Sequence, residues 1–385
     1  MGFLRDDLAQ LAAYKSPHVA EEAAVLPVLD PLDTNESPLD LPDALKEDLA
    51  AHYREEIAAN RYPDGGQDAL KQAVLKYAIA SGNLQAGSLS TDNVTLGNGS
   101  DELIRSVIMA TCLGGHGSIL VASPTFSMYG ILAKTLGVKV HDAGRSEDFE
   151  VDIDAAQKTI KTSEKEGLPV RAIFMVHPNS PTGNALTQRE LAWLKQVPED
   201  VLVVVDEAYF EFSGQTTLRE VLTRRNWLVT RTFSKAFRLA AHRVGYGIGH
   251  TDIIAALEKL RLPYNLPSFS QAAARVAMDN SGALLEQIPK LVDERDRLLQ
   301  AFSDHPYLQV WPSDSNFVYV RLRDRGLAAL QAETQADGLD EVMTQLRRKG
   351  TLIRHTGGGL RISIGTAAEN QRTLANIQQV LGTKA

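Results

Sequence analysis

Two side chains in this sequence have the chemistry of a covalent cofactor site. Lys235 lies in Thr232-Phe233-Ser234-Lys235-Ala236-Phe237, and Asp206 opens Asp206-Glu207-Ala208-Tyr209. A lysine amine reacts as a nucleophile only when burial or neighbouring positive charge depresses its proton affinity. Arg243, eight residues after Lys235, can supply that field. Together with the Thr232 and Ser234 hydroxyls it also suits a phosphate group. A buried acid can keep a ring nitrogen protonated, and Tyr209 can hydrogen-bond a ring hydroxyl. An amine that forms a Schiff base at one point and an acid for a pyridine nitrogen at another are the two needs of pyridoxal 5'-phosphate. Taken singly, Lys235 reads as a loop lysine, Asp206 as a cap on the next element and Tyr209 as packing; the combination favours the cofactor.

The elements around these residues place them on one sheet edge. Val201 to Val205 is a run of five apolar residues, the pattern of a strand buried on both faces. It leaves Asp206 at its carboxyl end, where open α/β sheets hold their ligands. Trp227 to Thr230 reads as a second strand and delivers Lys235 to the same edge. Further strands are expected at Val94–Leu96, Ile119–Val121, Val138–His141, Val170–Val176 and Gly245–Ile248, mostly with helices between them. That alternation predicts an α/β fold with a mostly parallel sheet of about seven strands. After Pro267 the pattern changes to helices near Ser270–Met278, Ala283–Phe302 and Gly338–Lys349. Strands are expected there near Phe317–Leu322, Leu352–Arg354 and Leu360–Ile364. The expected organisation is an N-terminal arm (1–36), a large cofactor-binding domain (37–268) and a small α+β C-terminal domain (269–385). At 385 residues the chain is too long for one ordinary core.

Other segments bear on the same chemistry. Gly97-Asn98-Gly99-Ser100-Asp101-Glu102 follows a strand and opens a helix. Such a turn can bring backbone N–H groups to an anion, and simple N-capping by Ser100 or Asp101 fits equally well. The third glycine of the dinucleotide fingerprint is missing, which disfavours a nicotinamide site. Pro178-Asn179-Ser180-Pro181-Thr182-Gly183 is a stiff turn after a strand and can aim Asn179 at a ring oxygen; an ordinary turn would look the same. Phe126, in Pro124-Thr125-Phe126, can stack on a planar ring or simply fill a core. Arg354 and Arg361 flank Gly357-Gly358-Gly359 on two expected strands, and arginine is the side chain of choice for forked binding of carboxylate or phosphate. Gly245-Tyr246-Gly247-Ile248-Gly249 reads as a strand packed closely on its neighbours, and His177 as a structural donor. No histidine pair has metal-ligand spacing, so no metal is expected. No G-x-S-x-G elbow is present, against a hydrolase of that type.

A net charge of −8 argues against nucleic acid or an anionic membrane surface as partner. One cysteine, Cys112, excludes an intramolecular disulfide and fits a reducing compartment. It lies in an apolar stretch and reads as core. With no apolar run of spanning length and no secretory leader pattern, the expected location is the cytoplasm.

Together these motifs resemble the fold-type I pyridoxal-phosphate aminotransferases, and within them the branch that acts on histidinol phosphate. The resemblance runs from Asn35-Glu36-Ser37-Pro38 through Arg61-Tyr62-Pro63-Asp64 and the segments above to Leu360-Arg361-Ile362-Ser363. It implies that Lys235 carries the cofactor and shuttles a proton, Asp206 binds the ring nitrogen, and Asn179 and Tyr209 bind the ring oxygen. Phe126 would stack on the ring. Ser100, Asp101, Thr232, Ser234 and Arg243 would hold the phosphate, with Tyr62 reaching in from the second subunit of a homodimer. Arg354 and Arg361 would grip the anionic end of the substrate, assisted by Tyr14 and Asn35. The implied reaction exchanges an amino group between L-histidinol phosphate and 2-oxoglutarate. Aromatic amino-acid transamination and phosphothreonine decarboxylation are the alternatives, and a non-enzymatic regulator with this fold would need a DNA-binding extension that the short, non-basic arm does not offer. Arg238 and His242 depart from the family pattern and bring extra cationic groups toward the lysine segment.

Overall fold

The protein is described by a computed structural model covering residues 30–382 together with Phe3 and Arg5; Tyr14 and most of the expected arm lie outside the described residues. The chain divides into two compact units. Of residues 30–382, the larger comprises 39–179 and 185–287, and the smaller 30–38, 180–184 and 288–382.

Numbered along the chain, β1 (Asp30–Pro31) belongs to the smaller unit. The larger unit holds β2 (Val94–Asn98), β3 (Ser118–Val121), β4 (Val140–Asp142), β5 (Val170–Val176), β6 (Leu202–Asp206), β7 (Trp227–Thr232) and β8 (Val244–Gly249). They form one sheet in the order β2-β8-β7-β6-β5-β3-β4. β8 runs antiparallel to both β2 and β7, and the remaining pairings are parallel. The seven strands match the seven expected from the apolar runs. Val203, Val204 and Val205 are fully buried, each contributing about 1.5–3 kcal/mol relative to an exposed side chain. This double-sided burial is what a central parallel strand requires.

Two glycines set the spacing where β8 passes the helix Gly99–Cys112. A Cβ on Gly245 would lie 2.5 Å from the Ser100 backbone nitrogen, so only glycine lets β8 pass the start of the helix Gly99–Cys112. Gly99 has φ +72, and a Cβ there would strike the Arg243 guanidinium at 2.6 Å. The reading of Gly245–Gly249 as a strand packed closely on its neighbours agrees with the contact at Gly245.

The smaller unit contains β9 (Leu308–Val310), β10 (Phe317–Leu322), β12 (Arg354–Thr356) and β13 (Gly359–Ser363) in the antiparallel order β12-β13-β10-β9. A two-residue parallel ladder joins β1 to β11 (Thr351–Leu352). The Arg372 guanidinium donates to Asp30 Oδ1 from both Nε (3.1 Å) and Nη2 (2.5 Å), which fixes the start of the segment leading to Asn35. The expected strand Leu352–Arg354 is divided between β11 and β12. The expected helix Ala283–Phe302 is likewise two helices, Ser281–Leu285 and Ile288–Ser303. Pro289 explains the break, because proline is tolerated only in the first turn of a helix.

Candidate active site

Asp206 ends β6, fully buried, with the Tyr129 hydroxyl donating to its Oδ2 at 2.9 Å. Its Oδ1 is buried and has no hydrogen-bond partner. Burial pushes the carboxyl up to about 6, opposed by the Tyr129 hydrogen bond. A buried acceptor without a donor is costly, and a protonated ring nitrogen is a donor of the kind it lacks. Tyr129, on the helix Met128–Thr135, was not among the expected site residues. It stacks on Phe174 at 4.8 Å and meets Phe126 edge-on at 5.5 Å. One residue thus touches both the acid and the proposed stacking ring.

The raised value of Asp206 has a consequence for the cofactor-free protein. A carboxyl held at about 6 rather than 3.8 costs the folded state about 3 kcal/mol at neutral pH. Stability from such a group is fully present below the unfolded value and is lost as pH rises through the folded one. Cofactor-free Asp206→Asn protein is therefore expected to be more stable than wild type at pH 7 by that order, with the advantage gone below about pH 4. Urea denaturation at both pH values measures it, and an equal difference at the two would show that burial of the charge is not the cause.

Lys235 is half-buried in a turn fixed on both sides. Phe233 and Phe237 are fully buried, 5.3 Å apart. Phe233 N–H donates to Val244 O, Leu239 N–H to Phe233 O and Arg238 N–H to Lys235 O. Below the turn, Arg231 on β7 is completely buried and donates from Nε to Glu207 Oε2 at 3.0 Å. Its Nη1 donates to Ser81 Oγ and its Nη2 to Thr216 Oγ1, while the guanidinium lies 3.6 Å over Phe210. This ion pair ties the strand ending in Asp206 to the strand leading to Lys235. Neither member was an expected site residue; the only local signal is an arginine between two threonines on an otherwise apolar strand.

A cup of donors forms where β7, β8 and the helix Gly99–Cys112 meet. Thr232 Oγ1 donates to Ser234 Oγ at 3.0 Å and accepts from Ser234 N–H at 3.1 Å. Arg243 Nη1 donates to Ser234 Oγ at 3.3 Å and Nη2 to Asp101 Oδ2 at 3.2 Å. Neither Ser100 nor Asp101 caps the helix; Asn98 holds the cap position without a side-chain bond, and its own N–H is taken by the Glu102 carboxylate. Gly99 N–H is taken by Arg243 O at 2.8 Å, which leaves the Ser100 and Asp101 N–H groups without a side-chain cap, the kind of position where the helix dipole favours an anion. With its carboxylate on Arg243, Asp101 can serve an anion only through its backbone.

Asn179 is buried, its Nδ2 donating to Pro124 O at 3.0 Å and its Oδ1 accepting from Thr125 Oγ1 and Arg145 Nη2. Tyr209 is buried beside Asp206 at the start of a short helix. His177 has a structural role, as an acceptor at Nδ1 from Leu186 N–H at 3.0 Å. Cys112 is buried, which raises its thiol above the ordinary range. Arg238 and His242 do not add free cations. Arg238 donates to Asp40 O and Leu284 O, and His242 packs its ring 5.5 Å from Phe269. Tyr62 is 81% exposed and stacked on Tyr264 at 4.6 Å.

Of the expected substrate residues, Arg354, Arg361 and Asn35 lie in the smaller unit. Arg354 and Arg361 are register partners on β12 and β13, so they share one face of the sheet. Arg361 donates to Ser180 Oγ at 3.2 Å and to Asp33 O at 2.6 Å. Asn35, with φ 54, donates its N–H to Ser363 Oγ and accepts at its carbonyl from Asn316 Nδ2.

The orphaned Asp206 Oδ1, the uncapped helix start and the hydroxyl–arginine cup fit the two ends of pyridoxal phosphate. The aminotransferase class I and II profile matches residues 30–377. The histidinol-phosphate aminotransferase of Trichodesmium erythraeum is 53% identical over 380 residues, covering 98% of this chain and 99% of the relative. Histidinol-phosphate aminotransferase 2 of Nostoc sp. is 54% identical over 383 residues, covering 98% and 97%. The solved histidinol-phosphate aminotransferase of Sinorhizobium meliloti, in complex with pyridoxal-5'-phosphate, aligns with a TM-score of 0.82 at 21% identity, covering 99% of this chain and 98% of that one. The L-threonine-O-3-phosphate decarboxylase of Porphyromonas gingivalis aligns at 0.73 and 18% identity, covering 92% and 100%. The chain belongs to the class I and II aminotransferases.

Proposed function

We infer that this protein is a pyridoxal-phosphate-dependent enzyme of histidine biosynthesis that exchanges an amino group between L-histidinol phosphate and 2-oxoglutarate, giving imidazole acetol phosphate and L-glutamate. The observation that carries the reading is identity above 50% over nearly the whole chain to relatives named for that activity. When bound, pyridoxal phosphate supplies an electron-withdrawing ring that stabilises charge at the substrate Cα. The residues of this chain do the rest. Lys235 Nζ holds the cofactor and takes and returns the Cα proton. Asp206 Oδ1 keeps the ring nitrogen protonated. Asn179 and Tyr209 donate to the ring oxygen, and Phe126 covers the ring face. Ser100, Thr232, Ser234, Arg243 and the backbone at Asp101 hold the phosphate. Arg354 and Arg361 bind the substrate's anionic end, and Tyr14 and Asn35 assist.

Purified enzyme mixed separately with L-histidinol phosphate, L-phenylalanine and L-glutamate tests this, with the visible absorbance followed in each half-reaction. L-histidinol phosphate and L-glutamate are expected to react and L-phenylalanine poorly. Faster reaction with L-phenylalanine would establish the aromatic alternative, and carbon dioxide release from phosphothreonine would establish the decarboxylase.

The working unit is proposed to be a homodimer in the cytoplasm. Tyr62 and Tyr264 form one exposed apolar stack, Leu262 beside it is 71% exposed, and Tyr53 meets Phe269 edge-on at 5.5 Å. Apolar groups gathered in this way mark an interface more often than free surface. Tyr62 would reach the cofactor phosphate of the neighbouring subunit. Tyr62→Ala is expected to loosen cofactor binding about tenfold, as befits one hydrogen bond to a charged group. Sedimentation showing a fully active monomer at assay concentration would rule out a shared site. The lone cysteine is in keeping with the cytoplasm, and among the described residues no helix is long and apolar enough to cross a membrane.

A further inference from the structure

Arg145 is a buried cation that the reaction itself does not call for. It follows β4, yet only 1% of its side chain is exposed. Nε donates to Ala122 O at 2.7 Å, Nη1 to Phe149 O at 2.8 Å and Nη2 to Asn179 Oδ1 at 3.1 Å. Burial lowers its proton affinity to about 10, so it stays charged at neutral pH. The charged or titratable groups around it are Glu190, Asp142 and Tyr129. The Glu190 carboxylate is 4.0 Å from Nη1 and itself accepts from Val151 N–H and Thr187 N–H. A buried charge is retained only where its hydrogen bonds are made, and here one of the three goes to a proposed cofactor residue.

Arginine has five donors and no acceptor. The Asn179 atom facing Arg145 must therefore be the oxygen. Thr125 Oγ1 donates to that same oxygen at 3.3 Å, and Nδ2 faces Pro124 O at 3.0 Å. A flipped amide would set an NH₂ against the guanidinium and an oxygen against a carbonyl, losing the bonds to Arg145 and to Pro124 O together, while the Thr125 hydroxyl could serve either orientation. The network thus settles which way the amide points. We propose that Arg145 is a positioning residue that locks Asn179 as an N–H donor toward the cofactor's ring oxygen and so favours the anionic form of that oxygen. The proposal rests on the pyridoxal-phosphate reading of the site and adds to it a residue outside the motifs read from the sequence.

The test uses the holoenzyme and its absorbance as a function of pH. In Arg145→Met the midpoint of the visible-band titration is expected to rise by about one pH unit, a tenfold change in proton affinity, with cofactor released about tenfold faster. Arg145→Lys keeps the charge but cannot reach Ala122 O, Phe149 O and Asn179 Oδ1 together, so an intermediate shift is expected; it also serves where the methionine variant does not fold. In an Asn179→Leu background, Arg145→Lys should move the titration no further, since the pair acts as one unit. A titration unmoved in the arginine variants, with only thermal stability lowered, overturns the proposal and leaves Arg145 a structural residue. If Asn179→Leu itself leaves the spectrum and cofactor release unchanged, the assignment of Asn179 to the ring oxygen fails instead.

Discussion

Lys235→Ala is expected to abolish turnover with every amino donor while the protein still binds cofactor without a covalent link. The two halves of the result have separate causes. Binding persists because the donor cup at Thr232, Ser234 and Arg243 and the acceptor at Asp206 Oδ1 are built from other side chains, held by bonds that do not involve the lysine amine. Turnover goes because the amine that captures the cofactor and the base that moves the Cα proton are the same atom. Loss of a positioned general base alone costs about 10²–10⁴-fold, and loss of the nucleophile adds to it. The turn should survive the change, since Phe233 and Phe237 anchor it in the core and alanine fits between them. Borohydride reduction followed by peptide mapping provides the measurement. In wild type the label should fall on the Lys235 peptide, and in the variant on none. Label on another lysine in the wild-type protein would overturn the assignment.

The parts of this site that could be read from the sequence are those whose chemistry is local. Val201 to Val205 has to be a buried strand whatever surrounds it, so Asp206 falls at a strand end and Lys235 follows the next strand by the same logic. The seven strands of the large sheet were visible for this reason. Tyr129 and Arg145 were not, because their partners are set by the order of strands in the sheet. β4 reaches β5 only through β3, and that placement brings Arg145 to Asn179, 34 positions away. Nothing in Gly144-Arg145-Ser146 announces a buried cation. The Asp30–Pro31 strand was missed on similar grounds, since its partner lies 321 residues on. Arg238 and His242 misled in the opposite direction. Their charge and position near the lysine suggested a share in the chemistry, whereas one is used up on two carbonyls and the other packs on an aromatic ring.

Arg354→Ala should separate phosphorylated from unphosphorylated substrates. Arg354 and Arg361 stand directly opposite each other on antiparallel strands, which brings their Cβ atoms within roughly 4.5–5.5 Å. Like charges so placed repel unless an anion lies between them. The two are not equivalent. Arg361 is held by Ser180 and Asp33 and lies 5.6 Å from the Phe317 ring, so replacing it would also disturb the segment leading to Asn35. The Arg354 side chain makes no hydrogen bond or ion pair among the described residues, and its removal should affect ligand binding with little effect on the fold. L-Histidinol phosphate has no carboxylate, so its phosphate is the only strong anion these arginines can take. Truncating one partner of a desolvated charge pair costs roughly 2–5 kcal/mol, and at about 1.4 kcal/mol per tenfold that is about thirty-fold to several thousand-fold. The kcat/KM for L-histidinol phosphate should fall by at least the lower figure, and that for L-histidinol should change little. Wild type should prefer the phosphorylated substrate by a similar factor, a preference the variant largely loses. Equal losses for both substrates would mean that Arg354 supports the sheet rather than the phosphate, and the arginine pair would no longer speak for a phosphorylated substrate.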